Sequence, residues 1–407
     1  MGKAGKKYLK GDLGIWFIFL LLCIISVIEV FSASSRLTFG KESYWAPILN
    51  HCLHLTLGSI IVYFVHLIPY RYYRVIPFFL VPISAVMLLY LFIKGLGNST
   101  ASRWIDLGFI NFQPSELAKM AVVTSVAAML AEMGNDKLSQ NRTFWRIIAL
   151  TAGFGVFIMV ENLSTALLLS LVVFLMMYIG RVPWKKLLLL FFTVVGGGII
   201  IIAFMLFIPP EKMQNLSLPS RFPTWQARVV DYFEHDKKIS PREYALTVAR
   251  EKPQETHANI AIATSNIFGK FPGNSDERDF VQEASCDFIY AIIIEELGLV
   301  GGVAVLLFYI SIIIRVGRIA RRCKTRFSAY LLMGVAMLIG TQALMNMAVA
   351  VGLMPVTGQP LPLISKGGTS ILINCVYIGI ILGVSRGLDA EESKKELETE
   401  TNKVSDI

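Results

Sequence analysis

Charge is what this sequence has least of. Asp, Glu, Lys and Arg make up 16% of its 407 residues, against about 25% in a soluble domain. That shortage, with 55% hydrophobic residues and a mean hydropathy of +0.60, excludes a disordered chain, a secreted disulfide scaffold and an ordinary soluble enzyme. Cysteine is sparse too. The five cysteines are odd in number, lack CxxC spacing and lie mostly in apolar runs, so neither a disulfide framework nor a zinc site follows. Walker, HExxH and GxSxG motifs are missing. No small-residue cleavage site follows the basic stretch at 3–10, so the apolar run behind it reads as a retained first span.

Long apolar runs are what the sequence does have. A bilayer-crossing helix takes about 20 residues. Suitable runs fall near 13–33, 46–67, 75–94, 116–133, 145–160, 163–180, 187–208, 286–314, 328–353 and 362–386. The expected fold is an all-α polytopic membrane protein of about ten transmembrane helices, with Glu161-Asn162 marking a tight helical hairpin. With both termini cytoplasmic, the inside segments hold 22 Lys and Arg and the short outside loops five, as the positive-inside rule requires. The net charge of +9 is therefore the mark of cytoplasmic loops, not of nucleic-acid binding. One large loop between helices 7 and 8, 209–284, falls on the extracytoplasmic side and carries ten basic and eleven acidic residues with several prolines. A loop of that length is functional or disordered; its apolar patches favour partial order on the membrane surface. Residues 1–386 read as one membrane domain and 387–407 as a disordered cytoplasmic tail.

Ionisable groups inside spans are costly and mark cavities or partners. Glu116 and Lys119 are three apart and can pair on one helix face, with Ser115 placed to cap that helix. Asp287 stands at the outer mouth of the eighth span. A helix starting one turn early would bring Glu283 onto its face, and neighbouring carboxylates raise one another's pKa, which suits a general base. A helix-capping Asp is the alternative. Glu295 and Glu296 are better suited to holding neighbouring helices together, and His51 and His54 to packing. Gly196-Gly197-Gly198 suggests close helix packing. Ser365, Lys366, Gly367 and Gly368 lie at the outer mouth of the tenth span, where exposed backbone N–H groups and a lysine suit a phosphate; a plain loop-to-helix transition fits equally.

Three long stretches then resemble one family. Arg103-Trp104-Ile105-Asp106-Leu107-Gly108 running to Pro114-Ser115-Glu116-Leu117-Ala118-Lys119, Asp287-Phe288 with Glu295-Glu296-Leu297-Gly298, and Gly352 to Gly358 with Ser365 to Ser370 are similar to the signatures of the SEDS proteins of shape, elongation, division and sporulation. The resemblance implies a peptidoglycan glycosyltransferase polymerising lipid II at the outer face of the bacterial cytoplasmic membrane. It also implies a class B penicillin-binding transpeptidase as partner, with other divisome proteins. The family's essential aspartate matches Asp287, its preceding glutamate Glu283 and its loop arginine Arg228. Four positions depart from the pattern: Ser285-Cys286 replace His-Thr, Val160-Glu161-Asn162 replaces Gln-Pro-Asp, Lys366 replaces tyrosine and Ser265-Asn266 replaces Gly-Gly. On this reading Asp287 accepts the acceptor sugar's hydroxyl proton while undecaprenyl diphosphate leaves. Arg228, Lys366, Arg103 or Lys119, with or without a divalent cation (Mg or Mn), balances the developing charge. The rival classes are a flippase for the lipid-linked precursor and a scaffold for the transpeptidase. Within the family, the loop leans towards the division branch over the elongation branch.

Overall fold

The structure, a computed structural model, describes residues 10–34, 46–97, 103–106, 108, 111–207, 226, 253–281 and 284–405. Each of the ten apolar runs coincides with a helix. In chain order these are α1 (Leu13–Ala33), α2 (Ala46–Leu67), α3 (Ile76–Gly97), α4 (Pro114–Ala131), α5 (Lys137–Glu161), α6 (Leu163–Ile179), α7 (Trp184–Phe207), α9 (Ile289–Arg322), α10 (Arg326–Ala350) and α11 (Gly368–Ser405), with α8 (Pro253–Thr264) in the large loop. Eight of the described segments are long and apolar enough to cross a membrane. Local signals set the ends. Asp12, Asp136, Asn162 and Thr325 cap α1, α5, α6 and α10 through side-chain oxygens, the groups that best satisfy free helix N–H donors.

Small residues decide which helices lie inside. In α4, with its run of Ala, Val, Ser and Thr, 78% of the apolar window is buried, against 17% for the Leu- and Phe-rich α3 segment. In a bilayer, where tails are as apolar as leucine, small side chains let helix backbones approach. α10 and α11 are the other inner helices. α11 packs along α2, and α10 lies between α4, α6 and α9. A two-residue antiparallel hairpin, β1 (Ile105–Asp106) and β2 (Asn111–Phe112), pairs Ile105 with Phe112 and leads from Arg103 into α4.

Three expectations need correction. The tail beyond Gly387 is helical: α11 continues to Ser405, and Arg322 and Lys324 at the α9–α10 turn pair with Asp389, Glu392 and Glu391 on it. Ser115 does not cap α4, because Gln113 holds the cap position ahead of Pro114, and proline suits the first turn by lacking an N–H. Gly196, Gly197 and Gly198 show no close packing among the described residues, since a methyl on any of them meets none of their atoms within 4 Å.

Candidate active site

α9 begins at Ile289 behind a Phe288 cap that uses no side-chain hydrogen bond. Asp287 therefore lies in the turn ahead of the helix and does not cap it. Glu283 itself, like Arg228, lies outside the described residues. Asp287, Arg103 and Lys366 are all half-buried.

Gly358 is the point where Asp287 and Arg103 meet. Its φ of +68° is a left-handed conformation that favours glycine, and a methyl there would sit 3.2 Å from Arg103 Nη1, 3.8 Å from Asp287 Oδ2 and 3.9 Å from Asn162 Nδ2. A cation, a carboxylate and an amide thus converge on one bare backbone position. The chain at Lys366 borders the same turn: its N–H donates to the Ser285 carbonyl at 2.8 Å, and its carbonyl accepts from Cys286 Sγ at 3.1 Å. The Ser365 hydroxyl donates to the Cys286 carbonyl and accepts from Leu361 N–H, both at 2.7 Å. Gly368 abuts α2, with His54 Nε2 2.9 Å from where its methyl would be.

Beneath the cluster lies a buried polar network. Lys119 Nζ pairs with Glu116 Oε1 at 2.8 Å and donates to Gln342 Oε1 at 2.9 Å; Glu116 and Lys119 are almost fully buried. From α10, Gln342 Nε2 reaches the Pro360 carbonyl, while Asn346 Nδ2 reaches the carbonyls of both Asp287 (2.9 Å) and Gln359 (2.8 Å). Gln359 Nε2 donates to Thr165 Oγ1 on α6, and Asn162 Nδ2 to the Thr357 carbonyl. These bonds satisfy irregular carbonyls that lack helical partners in an apolar setting.

α9 is interrupted at Gly298 (φ +74°, ψ −178°). The carbonyls of Glu295 and Glu296 accept from Lys270 and Phe271 N–H, and the N–H groups of Leu299 and Val300 donate to Asn266 and Ile267. Gly298 and Gly269 lie back to back, each leaving no room for a methyl against the other's backbone. Glu295 accepts from Lys270 Nζ and the Ser275 hydroxyl, and Glu296 from Ser32 of α1 and from Gly273 N–H. Glu295 is thus engaged by the loop segment 270–276, and Glu296 joins that segment to α1. Burial pulls against the Lys270 ammonium, but hydrogen bonds to Asp276 and Glu295, and their charges, hold it above its ordinary pKa.

Of the residues singled out from sequence, Asp287 and Arg103 come together at Gly358, and the Lys366 backbone borders the Asp287 turn. Glu116 and Lys119 pair one layer below, and Ser365, Gly367 and Gly368 form the turn beside them. Sequence reading missed Gln342, Asn346, Gln359, Asn162 and Gly358. The only signal was amides spaced four apart in an apolar run and a glycine between Thr357 and Gln359. Among the described residues no group of three or more His, Cys, Asp or Glu is arranged to hold a metal.

Fold and site together define an integral membrane protein of the α-helical class with a charged cluster at one end of its bundle. The chain belongs to the FtsW/RodA/SpoVE family of cell cycle proteins, whose profile matches residues 12–389. It is 28% identical over 388 residues to the probable peptidoglycan glycosyltransferase FtsW of Nitrosomonas europaea, covering 91% of this chain and 93% of that one. The protein of the same name from Alcanivorax borkumensis is 30% identical over 390 residues, covering 92% of each. The fold matches a chain from work on "structural coordination of polymerization and crosslinking by a peptidoglycan synthase complex" (TM-score 0.71, 22% identity, 94% and 99% covered). It also matches the rod shape determining protein RodA of Thermus thermophilus (TM-score 0.63, 21% identity, 93% and 98% covered).

Proposed function

We propose that this chain is a peptidoglycan glycosyltransferase that polymerises lipid II at the outer face of the bacterial cytoplasmic membrane during septal division. The observation that carries this reading is the convergence of Asp287, Arg103 and Asn162 on Gly358. The acceptor sugar's 4-hydroxyl attacks the anomeric carbon of the growing chain; its proton passes to Asp287, the bond from that carbon to the diphosphate oxygen breaks, and undecaprenyl diphosphate leaves. Proton transfer of this kind contributes about 10²–10⁴-fold, and compensation of the charge developing on the leaving group contributes most of the rest. Arg103 is placed for that second task beside Asp287, with Lys366 on the neighbouring turn. Lys119 is already paired with Glu116 and Gln342, so its part is structural. A divalent cation accompanying the diphosphate would find the Asp287 carboxylate among the described residues here and would take further oxygens from the phosphates, as Mg²⁺ commonly does.

A second observation fits a lipid-tethered substrate. An apolar cavity of about 500 Å³ lies between α5, α6 and α7, and its wall includes Met159 and Leu163 on either side of Glu161-Asn162. It therefore starts at the hairpin that carries Asn162 to the site, where a polyprenyl tail could run into the bundle from its headgroup. The basic-residue asymmetry supports cytoplasmic termini and an extracytoplasmic site. The likeness to a chain of a synthase complex supports a class B penicillin-binding transpeptidase as partner, within a larger divisome assembly.

The transporter reading draws on the break in α9, since broken helices with carboxylates mark substrate sites in transporters. Here the freed backbone groups at 295–300 are paired with 266–271, which leaves them closed to a ligand. The test is purified protein with labelled lipid II, with and without its transpeptidase. Wild type should yield glycan polymer and Asp287→Ala none. Polymer from Asp287→Ala at the wild-type rate removes Asp287 from the chemistry, and no polymer from either protein, alongside precursor crossing liposomes, replaces the enzyme with a flippase.

A further inference from the structure

Asn346 sits in the last turns of α10, 1% exposed, and its one amide nitrogen donates both of its hydrogens. One goes to the Asp287 carbonyl at 2.9 Å, the other to the Gln359 carbonyl at 2.8 Å. These two carbonyls belong to the two irregular segments that meet at the site: the turn ahead of α9, and the loop whose Gly358 touches Arg103, Asn162 and Asp287. Gln342, one helical turn earlier on the same face, holds the next carbonyl of that loop, Pro360. Its own carbonyl is fixed by Lys119. The loop is therefore fastened twice to α10, and Asn346 also holds the Asp287 carbonyl.

We propose that Asn346 is a positioning residue for the Asp287 site, an amide that ties the Asp287 turn to the Gly358 loop at Asp287 itself. The direct bonds between the two segments lie beside Asp287, from Ser365 and Lys366 to Ser285 and Cys286, and the Asn346 amide adds the tie at the Asp287 carbonyl. α10 is a rigid inner helix, and groups held by a helix are placed more accurately than groups held by loops. A donor is required at this position: a carboxylate of the same shape would face two carbonyl oxygens with no hydrogen to give.

The proposal rests on the glycosyltransferase reading, and its test separates the two. Wild type, Asn346→Ala, Asn346→Asp and Asn346→Gln are purified in detergent. Each is assayed with labelled lipid II and examined by amide hydrogen exchange. Misplacing reacting groups by about 1 Å costs about 100-fold, so Asn346→Ala should lose about 10- to 100-fold in kcat while KM moves less than about threefold. Asn346→Asp should be at least as poor. Asn346→Gln, which restores the donors on a longer stem, should recover part of the rate. Lost folded protein would lower lipid II binding stoichiometry in step with kcat, whereas lost positioning leaves stoichiometry at the wild-type level. In the exchange experiment, peptides covering 287–291 and 357–361 should exchange faster in Asn346→Ala, with the rest of α9 and α10 unchanged. Asn346→Ala at more than half the wild-type kcat, or with exchange unaltered in those two peptides, overturns the proposal. A wild type that makes no polymer overturns the glycosyltransferase reading instead and leaves the exchange experiment to decide the role of Asn346.

Discussion

Gly358→Ala is the sharpest probe of the site, because its effect has two parts that can be separated. The first is backbone strain. Residue 358 has φ +68°, and an L-residue in left-handed geometry loses roughly 1–2 kcal/mol. The second is crowding: the new methyl would lie 3.2 Å from Arg103 Nη1, closer than ordinary van der Waals contact of about 3.5–4.0 Å between heavy atoms. The guanidinium, at the end of a flexible chain, retreats by a few tenths of an ångström. That retreat costs little stability but moves charge away from the leaving group, and a loss of about 1.4 kcal/mol in transition-state stabilisation is tenfold in rate. Gly273→Ala is the control. Gly273 has φ +88° with nothing within 4 Å of its methyl position, so it carries the strain without the crowding. Both variants should unfold at similarly lowered temperatures in detergent. Only Gly358→Ala should then polymerise lipid II about tenfold more slowly per folded molecule. Equal rates for the two would show that the contact between Gly358 and Arg103 has no part in catalysis.

Other outcomes follow from the surrounding structure. Lys119→Met leaves Glu116 buried and unpaired and should destabilise the protein by about 3–5 kcal/mol; the double variant with Glu116→Gln should recover part of that, and thermal unfolding of the three proteins checks it. Gly298→Ala puts a methyl 2.3 Å from the Ile267 carbonyl, so the 265–281 segment should detach from α9 and become a site of limited proteolysis, with intact protection refuting the pairing. Burial pushes the Cys323 thiol up to about 11, with Arg322 pulling slightly the other way. The thiolate is the reactive form, so alkylation of the Cys323 peptide should be slow near neutral pH and accelerate as pH rises, and a pH-independent rate between 7 and about 9 would contradict that environment.

Much of the fold was legible because the bilayer leaves few options. Apolar length alone located ten helices, and Glu161-Asn162 was enough to mark the α5–α6 hairpin. The misreadings have physical causes. The tail looked disordered by composition, but α11 needs no new apolar face to continue: it extends past the bundle on ion pairs to Arg322 and Lys324, which composition does not reveal. Ser115 looked like a cap because Ser is a good one, yet with Pro114 in its first turn the helix starts two residues earlier, behind Gln113. At the site, Asp287, Arg103, Lys366, Glu116 and Lys119 stood out because an ionisable group in an apolar run is conspicuous. Asn346, Gln342 and Gln359 did not, since a neutral amide carries no cost large enough to flag it and its meaning depends on which carbonyl it faces.

That difference explains how a mostly apolar bundle builds a polar site. The bilayer requires every backbone carbonyl to have a partner, and the loop that carries Gly358 and the turn that carries Asp287 cannot supply their own. Charged side chains would satisfy them at a high desolvation penalty, so helix-borne amides do it instead: Gln342 and Asn346 from α10, and Asn162 from the α5–α6 hairpin. The buried ion pair of Glu116 with Lys119 is linked to the irregular backbone through Gln342. Asp287, Arg103 and Lys366, all half-buried, are the charged groups nearest the Asp287 turn among the sequence-predicted residues. An arrangement with ionic groups holding the loops would leave less contrast between scaffold and chemistry, and substitution of Gln342 by glutamate tests the point. Beside Lys119 the new carboxylate would pair with the ammonium, compete with Glu116 and lose the donor to Pro360. It should lower both stability and polymerisation, and a Gln342→Glu protein as stable and active as wild type would show that the amide is not needed for the site.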